Sequence, residues 1–165
     1  MSNNEPLSPS NPFRMAIVGH GFVGQAVEYA FTHPMVKFEL IDPKYNTSVD
    51  DLTEFDPHCV FVCAPTPSND DGSVDSNIVE DAVLKSLIHT NALVAVKSTI
   101  TPDVIDRLYS SLDRRQIDRF AYNPEFLTEK NAKADFVTAK FHVIGGSPQS
   151  TQELIEIYDI FSGCE

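Results

Sequence analysis

The sequence has 165 residues, of which 42% are hydrophobic and 22% are charged, and these values are those of an ordinary globular domain. Its 24 acidic and 12 basic residues give a net charge of −12, which repels a phosphate backbone and argues against nucleic acid as a partner. No apolar run approaches the roughly 18 residues of a membrane span, so we expect a small-molecule ligand and no membrane partner.

Residues 1–13 predict a flexible tail, because Ser, Asn and Pro dominate them and they lack the pattern of a signal peptide. Residues 14–165 are expected to form a single domain. Cys59, Cys63 and Cys164 have neither disulfide nor metal-ligand spacing. We therefore expect a cytoplasmic protein without a metal site, in which Cys59 and Cys63 behave as small buried hydrophobic side chains.

Apolar runs alternate with helical patterns along the rest of the chain. The apolar runs predict six strands, at residues 14–19, 37–42, 59–64, 93–97, 119–122 and 142–144. Helical spacing predicts helices over 23–31, 49–55, 78–87, 102–112 and 150–161. Ser150 and Glu153 are expected to form a capping box at the start of the last helix. This alternation predicts an α/β fold, a Rossmann-like, doubly wound and mostly parallel sheet with helices on both faces.

The first strand ends in a glycine-rich sequence, GHGFVG, which opens the first helix. Gly19 permits a tight turn, Gly21 lets the backbone approach a pyrophosphate, and Gly24 lets the helix pack closely on the sheet. The free N–H groups at the start of that helix favour an anion. The predicted cofactor-binding residues of this turn are Gly19, Gly21, Phe22, Val23 and Gly24. The alternative is a plain strand-to-helix turn.

The next charged residues follow the second strand. Asp42 lies 18 residues after Gly24, where a carboxylate accepts hydrogen bonds from the adenosine ribose and repels a 2′-phosphate. We therefore predict NAD rather than NADP, although Lys44 would partly accommodate a phosphate. The alternative for Asp42 is a simple turn opener. His20, inside the glycine turn, is expected to be exposed to solvent and to have no catalytic or metal role.

Four further segments turn this cofactor fold into a family resemblance. In chain order they are VFVCAPTPSNDDGSVDSNIVEDA, VKSTITP, YNPEFLTEKNAKADF and VIGG. Together they resemble the N-terminal NAD-binding domain of the UDP-glucose/GDP-mannose dehydrogenase family, from about Met15 to Phe161. Members of that family oxidise the primary alcohol of a nucleotide-linked sugar to a carboxylate and reduce two NAD. The resemblance therefore implies a UDP-glucose 6-dehydrogenase-like activity on a UDP-linked sugar.

The resemblance also assigns residues to tasks. Pro65 and Thr66 would line the nicotinamide side of the cofactor, and Thr99 would position both the cofactor and a catalytic water. Glu125 and Glu129 match carboxylates beside the sugar, and Glu129 is the stronger candidate for proton transfer. Phe126 and Leu127 match a loop whose backbone contacts the sugar nucleotide.

The residues themselves support part of that assignment. Two carboxylates four residues apart beyond a strand end, Glu125 and Glu129, can raise each other's proton affinity, as acid–base chemistry requires. Thr99 supplies a hydroxyl at a neighbouring strand end. Without the resemblance, the alternative for both carboxylates is plain surface solvation.

The sequence also departs from the family. In the family a cysteine thiolate of a second half attacks the aldehyde intermediate, and a lysine and an asparagine complete that site. We expect those segments to lie outside this chain and Cys164 not to be the nucleophile. Only 15 residues separate Asp42 from His58, where the family usually has a longer helical insertion, and Lys130 replaces a small residue after Glu129. A compact, divergent member is therefore expected.

Two other functions stay open at this point. One is a non-catalytic NAD- or nucleotide-binding module that acts through a partner. The other is a different dehydrogenase on a related scaffold, for example one acting on small hydroxy acids. A homodimer is also left open.

Overall fold

The computed structural model of the protein describes residues 7, 8 and 10–164. Most of the predicted tail, residues 1–6 and 9, therefore lies outside the described residues. The first strand begins at Phe13, one residue inside the predicted tail, and the Phe13 side chain is buried against the core.

A six-stranded sheet forms the centre of the molecule. Its strands are β1 (Phe13–Val18), β2 (Val36–Ile41), β3 (Cys59–Val62), β4 (Leu93–Val96), β5 (Phe120–Tyr122) and β6 (Gly145–Gly146). The spatial order is β2-β1-β3-β4-β5-β6. All neighbouring strands from β2 to β5 run parallel, and only β6 is antiparallel to its neighbour β5. The predicted α/β class with a mostly parallel sheet is confirmed.

In the described part of the chain, seven helices lie between or after these strands. They are α1 (Phe22–Ala30), α2 (Leu52–Phe55), α3 (Asn77–His89), α4 (Pro102–Ser111), α5 (Arg114–Ile117), α6 (Ala132–Val137) and α7 (Pro148–Phe161). Two short 3₁₀ turns, Pro43–Tyr45 and Val49–Asp51, lie between β2 and α2. The helices α5 and α6 are too short to have produced a periodic signal in the sequence.

The sheet has a core on each face, because side chains of a strand alternate between its two sides. From β1, Met15 and Ile17 join one core, which α1, α6 and α7 complete with side chains such as Phe136 and Tyr158. Ala16 and Val18 join the other core, which α2, α3 and α4 cover. Helices therefore lie on both faces of the sheet, as the doubly wound arrangement requires.

Two predictions near the end of the chain are wrong in detail. The last strand is Gly145–Gly146 rather than 142–144. Glycine allows β6 to approach β5 closely, since a Cβ on Gly146 would lie 2.9 Å from the Phe120 carbonyl oxygen. The last helix begins at Pro148, and its N-cap is Ser147, whose hydroxyl accepts a hydrogen bond from the Ser150 N–H. Ser150 is thus inside the first turn, and the predicted capping box with Glu153 does not form.

Across the part of the chain that the structure describes, no helix has both the length and the apolar character that crossing a bilayer demands.

Candidate active site and cofactor site

The strand order makes the carboxyl ends of β1 and β3 the switch point of the sheet, which is where doubly wound sheets bind their ligands. The glycine turn lies there. Gly19 has φ +89°, and a Cβ on it would lie 2.6 Å from the Cys63 carbonyl oxygen. A Cβ on Gly24 would lie 2.2 Å from the Gly19 carbonyl oxygen. Both positions therefore require glycine for packing, independently of any ligand.

Gly21 differs from the other two glycines of the turn. A Cβ on Gly21 would meet no atom within 4 Å, so its surface faces open space. Gly21 is also the N-cap of α1, and no side chain caps the free N–H groups of that helix. Phe22 is exposed and Val23 is half-buried beside it. An uncapped helix start behind a bare glycine backbone fits the pyrophosphate of a dinucleotide.

Asp42 lies next to this turn at the end of β2. Its carboxylate accepts hydrogen bonds from the backbone N–H of His20 at 2.8 Å and from that of Lys44 at 3.0 Å. Partial burial opposes ionisation of Asp42, but these two N–H groups and the Lys44 ammonium outweigh it and lower its pKa below the usual value. The carboxylate is therefore ionised at neutral pH, and it joins the glycine turn to the end of β2.

The expectation for His20 is wrong, since its side chain is buried and only 6% of the residue is exposed. Its Nε2 lies 2.8 Å from a carboxylate oxygen of Glu28, and its Nδ1 lies 2.8 Å from the hydroxyl of Tyr45. These two partners come from α1 and from the turn after β2, and neither is adjacent to His20 in the sequence. The sequence could not indicate this burial.

Lys44 is exposed, but its ammonium is held at the turn. The Nζ donates a hydrogen bond to the backbone carbonyl of His20 and lies 4.9 Å from the centre of the Tyr45 ring. Lys44 is thus close to Asp42, as the sequence suggested. Its ammonium contacts the His20 carbonyl and the Tyr45 ring, which are both groups of the protein itself.

The ends of β3 and β4 bring the next predicted residues to the same edge. Pro65 is exposed and Thr66 is half-buried immediately after β3. Thr99 is exposed just after β4. The Ser98 hydroxyl donates to the Ala64 carbonyl at 2.7 Å, which ties the two segments together. Thr99 and Pro65 are consequently on neighbouring loops beyond neighbouring parallel strands.

A pocket of about 410 Å³ lies beyond the ends of β4 and β5. The three residues predicted to bind substrate, Glu125, Phe126 and Leu127, all line it. The Glu125 carboxylate accepts a hydrogen bond from the Leu127 N–H at 2.6 Å, which fixes the local shape of the loop. Phe126 and Phe141 are both exposed, with ring centres 5.8 Å apart. The pocket therefore combines a carboxylate with an aromatic pair.

Glu129 does not line this pocket. It lines a second one, of about 350 Å³, together with Phe22 and Gln25 from α1. The two carboxylates of the PEFLTE segment thus face different pockets, and Glu129 lies on the side of the glycine turn. The geometry gives the two residues separate surroundings rather than a shared acid–base pair.

Lys97 also lines the 410 Å³ pocket, and the sequence placed it at a strand end where ligands bind but gave it no role. Only 1% of this residue is exposed. Its Nζ donates to the Asn123 side-chain oxygen at 3.1 Å and to the Tyr158 hydroxyl at 3.3 Å. Burial lowers the pKa of Lys97 to about 8, against the opposing influence of Cys63 and Glu125. A lysine directly after an all-apolar strand was the signal that could have found it.

The surroundings of Lys97 are otherwise short of charge. Within the described ranges it forms no salt bridge, and its ammonium lies 4.8 Å from the Phe136 ring centre. His142, another lining residue of the pocket, has a buried Nε2 without a hydrogen-bond partner in the described part of the chain. Burial raises the pKa of the Cys63 thiol to about 12, so this cysteine is a neutral neighbour. A buried ammonium that has hydrogen bonds but no salt-bridge partner is costly, and such groups are common at functional sites.

Among residues 7, 8 and 10–164, no group of three or more His, Cys, Asp and Glu side chains is arranged to hold a metal ion.

Comparison with known proteins agrees with this arrangement. Residues 43–162 match the UDP-glucose/GDP-mannose dehydrogenase family, NAD-binding domain. The match begins after the glycine turn, so the geometry of that turn is independent evidence.

Individual relatives point the same way. UDP-glucose 6-dehydrogenase of Rickettsia felis is 32% identical over 99 residues, which are 58% of this chain and 22% of that protein. The UDP-glucose 6-dehydrogenase of Haloferax volcanii is 29% identical over an alignment of 188 positions, which covers 87% of this chain and 44% of that protein. The chain thus spans less than half the length of these curated relatives.

Among solved structures, GDP-mannose dehydrogenase of Pseudomonas aeruginosa superimposes with a TM-score of 0.69 at 20% identity, over 90% of this chain and 44% of that one. At this identity the likeness establishes the fold, which is that of Rossmann-type dehydrogenases. The sequence match over most of the chain carries the assignment further. The chain belongs to the UDP-glucose/GDP-mannose dehydrogenase family and comprises its NAD-binding domain.

Proposed function

We propose that this chain is the cofactor-holding part of an NAD-dependent nucleotide-sugar dehydrogenase, which oxidises the C6 alcohol of a UDP-linked sugar to a carboxylate. One observation carries the proposal. The open backbone surface at Gly21 and the pocket lined by Glu125 lie at the same edge of one sheet. A dinucleotide and a second ligand can therefore be held side by side.

The cofactor part of the proposal uses the glycine turn. The backbone at Gly21 and the first N–H groups of α1, at Phe22 and Val23, hold the pyrophosphate, and Asp42 accepts hydrogen bonds from the adenosine ribose. Pro65 and Thr66 lie along the nicotinamide. When bound, NAD supplies the acceptor for the hydride that leaves the sugar.

The substrate part uses the loops after β4 and β5. Phe126 and Leu127 contact the sugar nucleotide, and Glu125 orients it from within the 410 Å³ pocket. Thr99, exposed at the end of β4, positions a water or the cofactor. Glu129, which lines the pocket that Phe22 also lines, would accept the proton that the sugar hydroxyl releases when the hydride leaves its carbon. The separate surroundings of the two carboxylates support this division of roles.

The cofactor site is tested by calorimetric titration of NAD. Gly21→Glu should weaken NAD binding about 100-fold, or about 2.7 kcal/mol, because its carboxylate would occupy the open space at Gly21 and repel the pyrophosphate. The space around a Cβ at Gly21 is empty, so the melting temperature should not change. Gln149→Glu, which adds the same charge at an exposed position on α7, is the matched control. NAD affinities of Gly21→Glu and wild type within threefold of each other would refute this site.

The substrate is tested on the NAD-loaded protein with UDP-glucose, UDP-galactose and GDP-mannose. We expect a UDP-linked sugar to bind, and Glu125→Gln to weaken it about tenfold through loss of a charged hydrogen bond. Glu54→Gln, an exposed change on α2, should leave the affinity unchanged. Normal NAD binding without binding of any nucleotide sugar would instead favour the non-catalytic module.

We also propose a cytoplasmic location, since Cys59, Cys63 and Cys164 are all free thiols. Labelling of Cys164, the half-buried thiol, in intact and lysed cells would test it, because a cytoplasmic chain reacts with a membrane-impermeant reagent only after lysis.

A further inference from the structure

A chain of side-chain contacts runs under the glycine turn. Glu28 contacts His20, His20 contacts Tyr45, and the Tyr45 ring supports the Lys44 ammonium. We call these four residues the brace. The Glu28 carboxylate can only accept a hydrogen bond, so Nε2 of His20 carries a proton and donates it. In the neutral imidazole Nδ1 then accepts from the Tyr45 hydroxyl at 2.8 Å.

A backbone turn places Lys44 beside the other residues of the brace. Pro43–Tyr45 form a 3₁₀ turn whose N-cap is Asp42, and the turn ends at Asn46 in the left-handed region. Within it the Lys44 N–H donates to the Asp42 carboxylate, and the Lys44 Nζ donates to the carbonyl of His20. An exposed lysine usually samples many rotamers, but this one has two intramolecular partners for its ammonium.

We propose that the brace is a specificity determinant of the cofactor site. Within it the Lys44 ammonium is held on the His20 carbonyl and the Tyr45 ring, so it is not available to neutralise a 2′-phosphate. Asp42 then faces the ribose with no free positive charge beside it, and NAD is selected over NADP. The inference rests on the proposed cofactor site at the glycine turn. It adds the reason why Lys44, so close to Asp42, does not relax the selection.

The first test is the ratio of the dissociation constants of NADP and NAD, measured by titration. Tyr45→Ala removes the ring and its hydroxyl, and should lower this ratio about three- to fivefold, as expected for the loss of an exposed cation–π contact. Lys44→Met alone should change NADP affinity less than twofold, because the ammonium is already occupied. In the double variant the gain for NADP should disappear.

Tyr45→Phe separates the two functions of the tyrosine. It keeps the ring under Lys44 but loses the hydroxyl contact with His20, so the ratio should fall less than in Tyr45→Ala. Lys44→Met changes an exposed residue and is not expected to unfold the protein, so it keeps the test valid if Tyr45→Ala destabilises the fold.

The outcomes separate this inference from the proposed cofactor site. A severalfold loss of NADP affinity in Lys44→Met, or an unchanged ratio in Tyr45→Ala, overturns the brace while NAD binding remains sensitive to Gly21→Glu. NAD binding that is insensitive to Gly21→Glu overturns the site itself.

Discussion

The glycine turn and the Glu125 pocket lie at the same edge of the sheet but are built in different ways. The turn is made by six consecutive residues and Asp42, and its shape follows from backbone contacts between Gly19, Gly24 and Cys63. The pocket joins Lys97, Glu125 and His142, which are far apart in the sequence. The family resemblance pointed to Glu125, Phe126 and Leu127, which are close together in the chain, but no local pattern indicated that Lys97 and His142 join them at this pocket.

The largest expected effect concerns the turn. Gly24→Ala should lower the free energy of unfolding by about 3 kcal/mol, because its Cβ would overlap the Gly19 carbonyl oxygen at 2.2 Å. Gly21→Ala should change it by less than about 0.5 kcal/mol, since nothing lies within 4 Å of the added methyl group. Urea unfolding followed by circular dichroism measures both. Equal losses in the two variants would mean that the turn is not packed as described.

The next effect concerns the pocket, where Lys97 is buried with a pKa lowered to about 8. Between that value and its ordinary pKa, the unfolded chain binds more protons than the folded one, so this residue makes stability rise with pH. Lys97→Met removes that contribution. The stability of the variant relative to wild type should therefore fall by about 1–2 kcal/mol between pH 7 and pH 9.5.

The comparison with wild type is essential for that measurement. Burial raises the pKa of Cys59, Cys63 and Tyr158, and these groups make stability fall with rising pH in both proteins. Their effect cancels in the difference between variant and wild type. A difference that stays constant across this pH range would indicate that Lys97 is ionised as readily in the folded protein as in the unfolded chain.

The smallest effect concerns the start of α7, which is not part of the pocket lining. Ser147→Ala should cost about 1 kcal/mol, because it removes the hydroxyl that accepts from the Ser150 N–H. Glu153→Ala would remove the acceptor of the capping box expected from the sequence, and it should not destabilise the protein by more than about 0.5 kcal/mol, because that box does not form. Thermal unfolding of both variants distinguishes the two caps. A larger loss of stability from the change at Glu153 than from Ser147→Ala would indicate that the predicted capping box forms.

Sequence patterns were sufficient for the parallel sheet and its five parallel strands, because four of them are short apolar runs, the second alternates, and helical spacing separates them. They failed at β6, whose two glycines carry no hydrophobic signal and pair only because β5 offers an edge. They also failed for α6, a helix of six residues that is held by the burial of Phe136 rather than by its own periodicity.

The sequence by itself determined the class of fold, the glycine turn and the family. Each of these depends on residues close together in the chain or on motifs in a fixed order. Only the tertiary structure decided that His20 is buried, that Lys44 is held by Tyr45, and that Lys97 lies at a pocket with Glu125. The reason is physical: burial, hydrogen-bond partners and pKa values depend on which distant segments pack together, and that packing leaves no local pattern in the chain.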